Sequence, residues 1–370
     1  DQPVSPNFTA GNAGLVCAYP QSAVLAGGRV ACLYRQGSTK HSHDGMLLLQ
    51  FSDDRGATWS APQIVYDWQG RQPAQTPVSG GICETPAGAL LVTFSTVEGL
   101  APGVYQFSAE GMALPRRVWF TRSSDAGASW SEPAEIDFAP FPLAGITTRP
   151  FALDDGEIMA PIEIQTLAGP QGTAATFSSD DGRTFGPLVV CADDPTGQLN
   201  LCDARFTQLP DGRILMLLWT FVQATEETVA VRQSFSRDSG RSWTPPASIG
   251  ILGQITVPLA LPDGSVVAAS NYRLPPEGIR LWRSPDGGMT WGAGGPIQMW
   301  DLEQGRVLGA PAGEGGRPAE ERPIWDELQR FSFGTPDLVL LDDSTLLLTY
   351  YATAAGVTGV RACRFLVHAA

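Results

Sequence analysis

Four carboxylates stand where the chain could put them to acid–base work: Asp44, Glu84, Asp203 and Asp337. Two carboxyl groups, one held protonated and one ionised, suffice to cleave a glycosidic bond. Residues suited to gripping a sugar accompany them. Arg35, Arg149, Arg205 and Arg273 can pair with a ligand carboxylate, Gln254 and Asn271 can bond hydroxyls, and Trp219 can stack on a ring face. His41 and His43 are two of three histidines. Either suits a general base, but spacing supplies no third metal ligand, so neither a metal nor another cofactor is expected.

Each residue also has a plainer role open to it. Arg149 and Arg205 both stand six residues before a turn and could neutralise Asp203 or Glu163. Trp219 ends an apolar run, as a core residue would. Asp44 lies in a polar His-Ser-His-Asp-Gly loop, where a solvated turn would serve as well.

What must position these residues is a faint repeat: a polar cluster, an apolar run, a Leu-x-Asp-Gly-like turn and a second apolar run. Its copies start at Tyr19-Pro20, Cys83-Glu84, Arg149-Pro150, Asp203-Ala204-Arg205, Gln254-Ile255-Thr256 and Thr335-Pro336-Asp337. A sharper repeat, Ser-x-Asp-x-Gly-x-Thr/Ser-Trp/Phe, occurs at 52–59, 123–130, 178–185, 236–243 and 284–291. Its Asp and Ser can bond N–H groups inside a tight turn, its Gly permits positive φ, and its aromatic can anchor the turn. Strand-like runs flank every copy, so it reads as a hairpin connection.

Six units, the first five with two turns each, predict an all-β, six-bladed β-propeller of four-stranded antiparallel blades. The sixth unit lacks the second turn, so its fourth strand is expected from the N-terminus, near Asn12–Val16. The whole of 1–370 then forms one domain, with an inserted loop over about 292–330. Residues opening the inner strands, Glu84, Arg149, Asp203, Arg205, Gln254, Thr256 and Asp337, are expected at one mouth of the ring. Arg35, Asp44, Glu163, Trp219, Asn271 and Arg273 would join them from second strands and loops.

The formal net charge of −14 argues against a broad nucleic-acid surface. A few arginines would still admit an anionic small ligand. No apolar run is long enough to span a bilayer. Cysteines 17, 32, 83, 191, 202 and 363 show no CxxC pair, and buried thiols or a Cys191–Cys202 bridge remain open. The sequence opens at Asp1 without a signal-peptide pattern, so either it is a processed form or such a segment has been left off; a secreted or periplasmic setting is expected only from the carbohydrate chemistry. Oligomeric state is not encoded.

The five boxes on a six-bladed plan resemble the sialidase (neuraminidase) superfamily of BNR/Asp-box repeat proteins. The resemblance implies a carbohydrate substrate and a pocket holding an arginine triad, a Tyr nucleophile with its Glu, and an Asp acid on the first-blade loop. Tyr19-Pro20 stands where the family carries the first Arg, and Trp219 where it carries the second. Asp203 replaces the Glu. The Tyr would fall near Thr335, and Tyr350 and Tyr351 lie one strand later. Arg35 and Asp44 match the acid loop, with His41 in the strict position of the acid. The expectation is a sialidase-like glycoside hydrolase acting on an acidic or unusual sugar by another mechanism. A polysaccharide lyase with His41, His43 or a Tyr as base, and a non-catalytic glycan-binding propeller, are the alternatives.

Overall fold

The structure, a computed structural model, describes residues 2–3, 15–67, 69, 74–108, 111–112, 114–274, 277–292, 295–301, 333–354 and 357–367. Six antiparallel blades form the ring. Blade one runs Val16–Val24, Val30–Gly37, Met46–Ser52 and Gln63–Asp67 from the inside outward. The inner strands of the others are Gln75–Glu84, the split pair Ala144–Gly145 and Phe151–Ala152, Leu199–Gln208, Thr256–Ala260 and Phe333–Leu340.

The five boxes close hairpins between third and fourth strands, and their bonds repeat from copy to copy. In the first, Asp54 accepts from Thr58 N at 2.8 Å and Thr58 Oγ1 at 2.6 Å, while Ser52 Oγ accepts from Gly56 N at 2.7 Å. The copy at Asp286 shows the same set, with Thr290 N at 2.8 Å, Thr290 Oγ1 at 2.7 Å and Gly288 N on Ser284 Oγ at 2.8 Å. Each box aromatic packs into the seam with the preceding blade. Trp130 of blade two joins the Leu33, Leu49 and Ile82 cluster, and Trp243 of blade four joins Met159, Phe206 and Met216. The box is thus an inter-blade clamp as well as a turn.

Blade six closes with an N-terminal strand, as the repeat requires. The strand is Gln2–Pro3, with Gln2 opposite Ala362 and Pro3 opposite Arg361. Val16, expected as part of the donor, instead begins the inner strand of blade one; residues 12–14 lie outside the described residues. Of the expected loop at 292–330, Ile297–Asp301 is the outer strand of blade five, and 302–330 lies outside the described residues.

Inner strands lose ladder register near one end. Shifts fall between Ala18 and Gln21, Pro77 and Ser79, Cys202 and Arg205, and Gly334 and Asp337. Tyr19, Asp203 and Thr335 sit in these bulges with φ of 60°, 48° and 47°. A left-handed non-glycine residue costs on the order of 1–2 kcal/mol, and strain of this kind concentrates at functional positions. Bulges turn side chains that would otherwise lie on the blade faces toward the axis. All six cysteines are free thiols, and Cys191 and Cys202 are not bridged.

Candidate active site

The bulge residue stands nine positions before the last residue of its turn. Counted this way, the ring is Tyr19, Ser79, Thr147, Asp203, Ile255 and Thr335, and all six line one cavity. It encloses about 880 Å³ of empty space, open mouth included, within the size range of small-ligand sites. His41, Gln106, Arg116, Glu163, Arg205, Trp219, Arg273 and Tyr351 complete the polar and aromatic wall.

Asp203 and Glu163 form the anionic side. Glu163 Oε2 accepts from Asp203 N at 2.7 Å, and Asp203 Oδ1 lies 3.7 Å from Arg205 Nη2. Burial pushes the Glu163 carboxyl up, and the neighbouring Asp203 charge pushes it further. Burial also raises Asp203, against the pull of Arg205 and Arg273. Two desolvated carboxyl groups whose charges repel favour keeping a proton on the pair.

Arg205 is 1% exposed, and its Nη1 donates to the carbonyls of Asp203 and Ala204, both at 3.2 Å. Arg273 Nε donates to Phe333 O at 3.1 Å and its Nη1 to Gln254 Oε1 at 3.2 Å. A Cβ at Gly334 would overlap the Arg273 guanidinium, so only glycine lets that side chain pass. Arg116 Nη2 donates to Gln106 Oε1 at 2.9 Å, and burial lowers the Arg116 guanidinium to about 10. Trp219 packs at a tilt against Phe221, ring centroids 5.2 Å apart, donates to Thr228 Oγ1 at 3.3 Å, and lines the cavity. Three buried polar atoms on lining residues, Gln21 Oε1, Arg205 Nε and Thr335 Oγ1, have no protein partner among the described residues. Such groups need a polar ligand or water.

The remaining expected site residues lie elsewhere. Asp337 and Arg149 are one layer deeper and tie the ring across its axis. Arg149 Nη1 donates to Asp337 Oδ1 at 2.8 Å and Oδ2 at 2.7 Å, and to Ser22 O at 2.8 Å. Arg35 spends its guanidinium on backbone carbonyls of Pro77, Thr39 and Ser42 at 2.9, 2.7 and 2.5 Å. Asp44 closes the same loop by accepting from Ser38 N at 3.0 Å and Ser38 Oγ at 3.0 Å; against partial burial, hydrogen bonding from the Ser42 side chain and then from Ser38 holds its carboxyl below the usual range. Neither residue lines the cavity.

Glu84 sits at the far end of its strand, where it accepts from Ala26 N. The mouth residue of blade two is Ser79. Gln254 and Asn271 bond one another at 3.3 Å behind Arg273. His43 offers its carbonyl to Thr76 Oγ1 at 3.0 Å. Among the described residues no cluster of His, Cys, Asp and Glu could hold a metal, and no helix is long and apolar enough to cross a membrane.

Sequence reasoning passed over Gln106 and Arg116, both on or beside the long connection inside blade two. It also set Tyr351 aside. Tyr351 is the ladder partner of Gly334, and so enters the cavity from the neighbouring strand, beside Thr335.

The profile of the family described as BNR repeat-like domain matches residues 28–348. The chain belongs to this family. No curated protein matches the sequence of this BNR repeat-like chain. Solved structures share its sialidase-like propeller fold. A protein of unknown function from Dyadobacter fermentans has a TM-score of 0.75 at 18% identity, over 99% of this chain and 98% of that one. An intramolecular trans-sialidase from Ruminococcus gnavus, in complex with oseltamivir carboxylate, has a TM-score of 0.67 at 13% identity, over 98% and 97%. An α-L-arabinanase from Penicillium chrysogenum, complexed with arabinobiose, reaches 0.66 at 15% identity, over 99% and 96%. The scaffold is one that glycoside hydrolases use.

Proposed function

We propose that this chain is a single-domain glycoside hydrolase that cleaves an acidic sugar from a glycan. One observation carries the reading. A protein of net charge −14 lines its axial cavity with Arg116, Arg205 and Arg273 against only two carboxyl groups, Glu163 and Asp203. Burial favours a proton on that pair. The cavity therefore carries surplus positive charge and suits an anion.

In this reading the carboxylate pair takes the proton of the attacking water. Arg205 and Arg273 bind the substrate carboxylate, and Trp219 stacks on the sugar ring. The arrangement departs from the family's Tyr–Glu scheme: Thr335 stands at the nucleophile's place, and Asp203 and Glu163 meet from blades four and three. Asp337, Arg149, Arg35, Asp44 and Glu84 serve the scaffold. A secreted or periplasmic setting, where glycans are met, belongs to the same reading.

The test is a panel of acidic glycosides, including sialosides and uronides, with product analysis. Release of reducing sugar, abolished in Glu163→Gln and Asp203→Asn, is expected. An unsaturated product absorbing in the ultraviolet would establish a lyase instead. Binding without turnover would establish a glycan-binding propeller.

A further inference from the structure

Glu163 accepts from the Asp203 backbone N–H, and the two residues come from adjacent blades, so both approach a bound sugar from one side. Acid-assisted cleavage also needs a donor near the leaving oxygen, which lies across the reacting carbon from the attacking water. Tyr19 and Asp203 hold the same bulge position on blades one and four, which face each other across a six-bladed ring.

A chain of hydrogen bonds ends on Tyr19. Arg116 Nη2 donates to Gln106 Oε1 at 2.9 Å. Arginine has no acceptor, so this bond fixes the Gln106 amide with its NH2 turned away. That NH2 meets His41 Nδ1. An amide NH2 only donates, so Nδ1 must be the bare nitrogen and Nε2 must carry the imidazole proton. His41 Nε2 lies 2.9 Å from Tyr19 Oη and donates to it. Among the described residues no other group bonds the hydroxyl, so its own proton turns into the cavity that Tyr19 lines.

We propose that Tyr19 is the proton donor to the leaving group, aimed by a one-way relay running Arg116, Gln106, His41, Tyr19. This rests on the hydrolase reading above. As the glycosidic C–O bond breaks, the Tyr19 proton passes to the departing oxygen. Water adds to the anomeric carbon and gives its proton to the Glu163–Asp203 pair. The phenolate is held by the His41 Nε2–H, and the pair's proton returns to it through solvent after product leaves. The net change is addition of one water.

Surrounding charges agree with this direction. Burial, together with the cations Lys40, Arg35 and Arg116, drives His41 well below its ordinary value, so it stays a neutral donor. Burial beside Tyr351 and Tyr105 raises Tyr19, which keeps it protonated, while Arg35 and Arg273 moderate the rise. Of the four relay residues Tyr19 alone meets the reacting atoms and is catalytic; Gln106, His41 and Arg116 are positioning residues.

Two measurements test the proposal. The first uses alkyl and 4-nitrophenyl glycosides of whichever acidic sugar the wild-type protein cleaves. Tyr19→Phe should lose about 100-fold or more in kcat/KM on the alkyl substrate. It should lose less than about 10-fold on the 4-nitrophenyl substrate, whose leaving group departs without acid help. Equal losses on both would overturn the donor role. Glu163→Gln should lose both alike.

The second measurement is independent of substrate. With three histidines in the chain, 15N-histidine labelling and imidazole correlation spectra assign His41 by comparison with His41→Gln. A neutral ring protonated on Nε2 from pH 5 to 9, with its Nδ1 signal displaced in Gln106→Leu, is expected. An Nδ1–H tautomer or an imidazolium would overturn the relay. If no acidic glycoside is cleaved, the hydrolase reading fails and the donor role falls with it, while the tautomer still decides the relay.

Discussion

Replacing Asp337 by Asn should weaken the fold and spare the chemistry. Asp337 keeps 2% of its side-chain exposure and Arg149 19%. The Asp accepts twice from Arg149 Nη1 and once from Ser22 N, at 2.6 Å. Asn has the same shape and can still accept from Ser22, so the variant removes mainly the negative charge. Losing one partner of a buried pair costs about 3–5 kcal/mol, and the residual exposure of Arg149 places the expectation near about 3 kcal/mol. At about 2.1 cal/mol/K of unfolding entropy per residue, over 370 residues, that lowers Tm by about 4 °C. Differential scanning calorimetry reads it directly. The double variant Arg149→Met/Asp337→Asn leaves no orphan charge, so it should be less destabilised than the two singles added, by about 1–3 kcal/mol. Below its Tm, Asp337→Asn should keep kcat/KM within about threefold of wild type. An unchanged Tm, or additive singles, would refute the axial tie. A stable but inactive Asp337→Asn protein would return Asp337 to the catalytic machinery.

Three further outcomes follow from the same geometry. Glu163 is raised in the folded state, so it stabilises below its unfolded pKa and loses that contribution as pH climbs through the folded value; Glu163→Gln should therefore flatten the decline of Tm from pH 5 to 8. Hydrogen bonds hold the exposed box residues Asp54 and Asp125 at about 2, so their contribution is full above about 4 and lost as pH falls toward the folded value. Asp54→Ala should accordingly shrink the acid-induced fall in Tm without changing kcat/KM. Gly334→Ala sets a Cβ against the Arg273 guanidinium; KM for an acidic glycoside should rise about 10-fold or more, while a neutral analogue is unaffected.

The chain shows plainly which features a repeat makes readable. The boxes at Asp54, Asp125, Asp180, Asp238 and Asp286 specify turns by local bonding alone, so blade number and strand order follow from counting. Asp203, Arg205 and Trp219 were legible because Asp211-Gly212 fixes their distance from the turn. Glu84 misled for a related reason. Blade two offers no charged landmark in Val78-Ser79-Gly80-Gly81-Ile82, and the acidic residue after Cys83 drew the count to the wrong end of a strand ten residues long. A shift of five positions exchanged the mouth for the opposite rim.

Arg35 and Asp44 show a different limit. Type and spacing place them in the first-blade loop, but a guanidinium facing three carbonyls and a carboxylate facing Ser38 are used up in shaping that loop. Those bonds in turn present His41 to the cavity, so the loop contributes through the residue it positions. Gln106 and Arg116 come from an aperiodic connection, and no count from a turn reaches them. Yet their order is consequential. A guanidinium, an amide and an imidazole in that sequence permit only one direction of donation. Direction, rather than proximity, is what separates a hydroxyl that can give a proton to a ligand from one that already spends it on its neighbour.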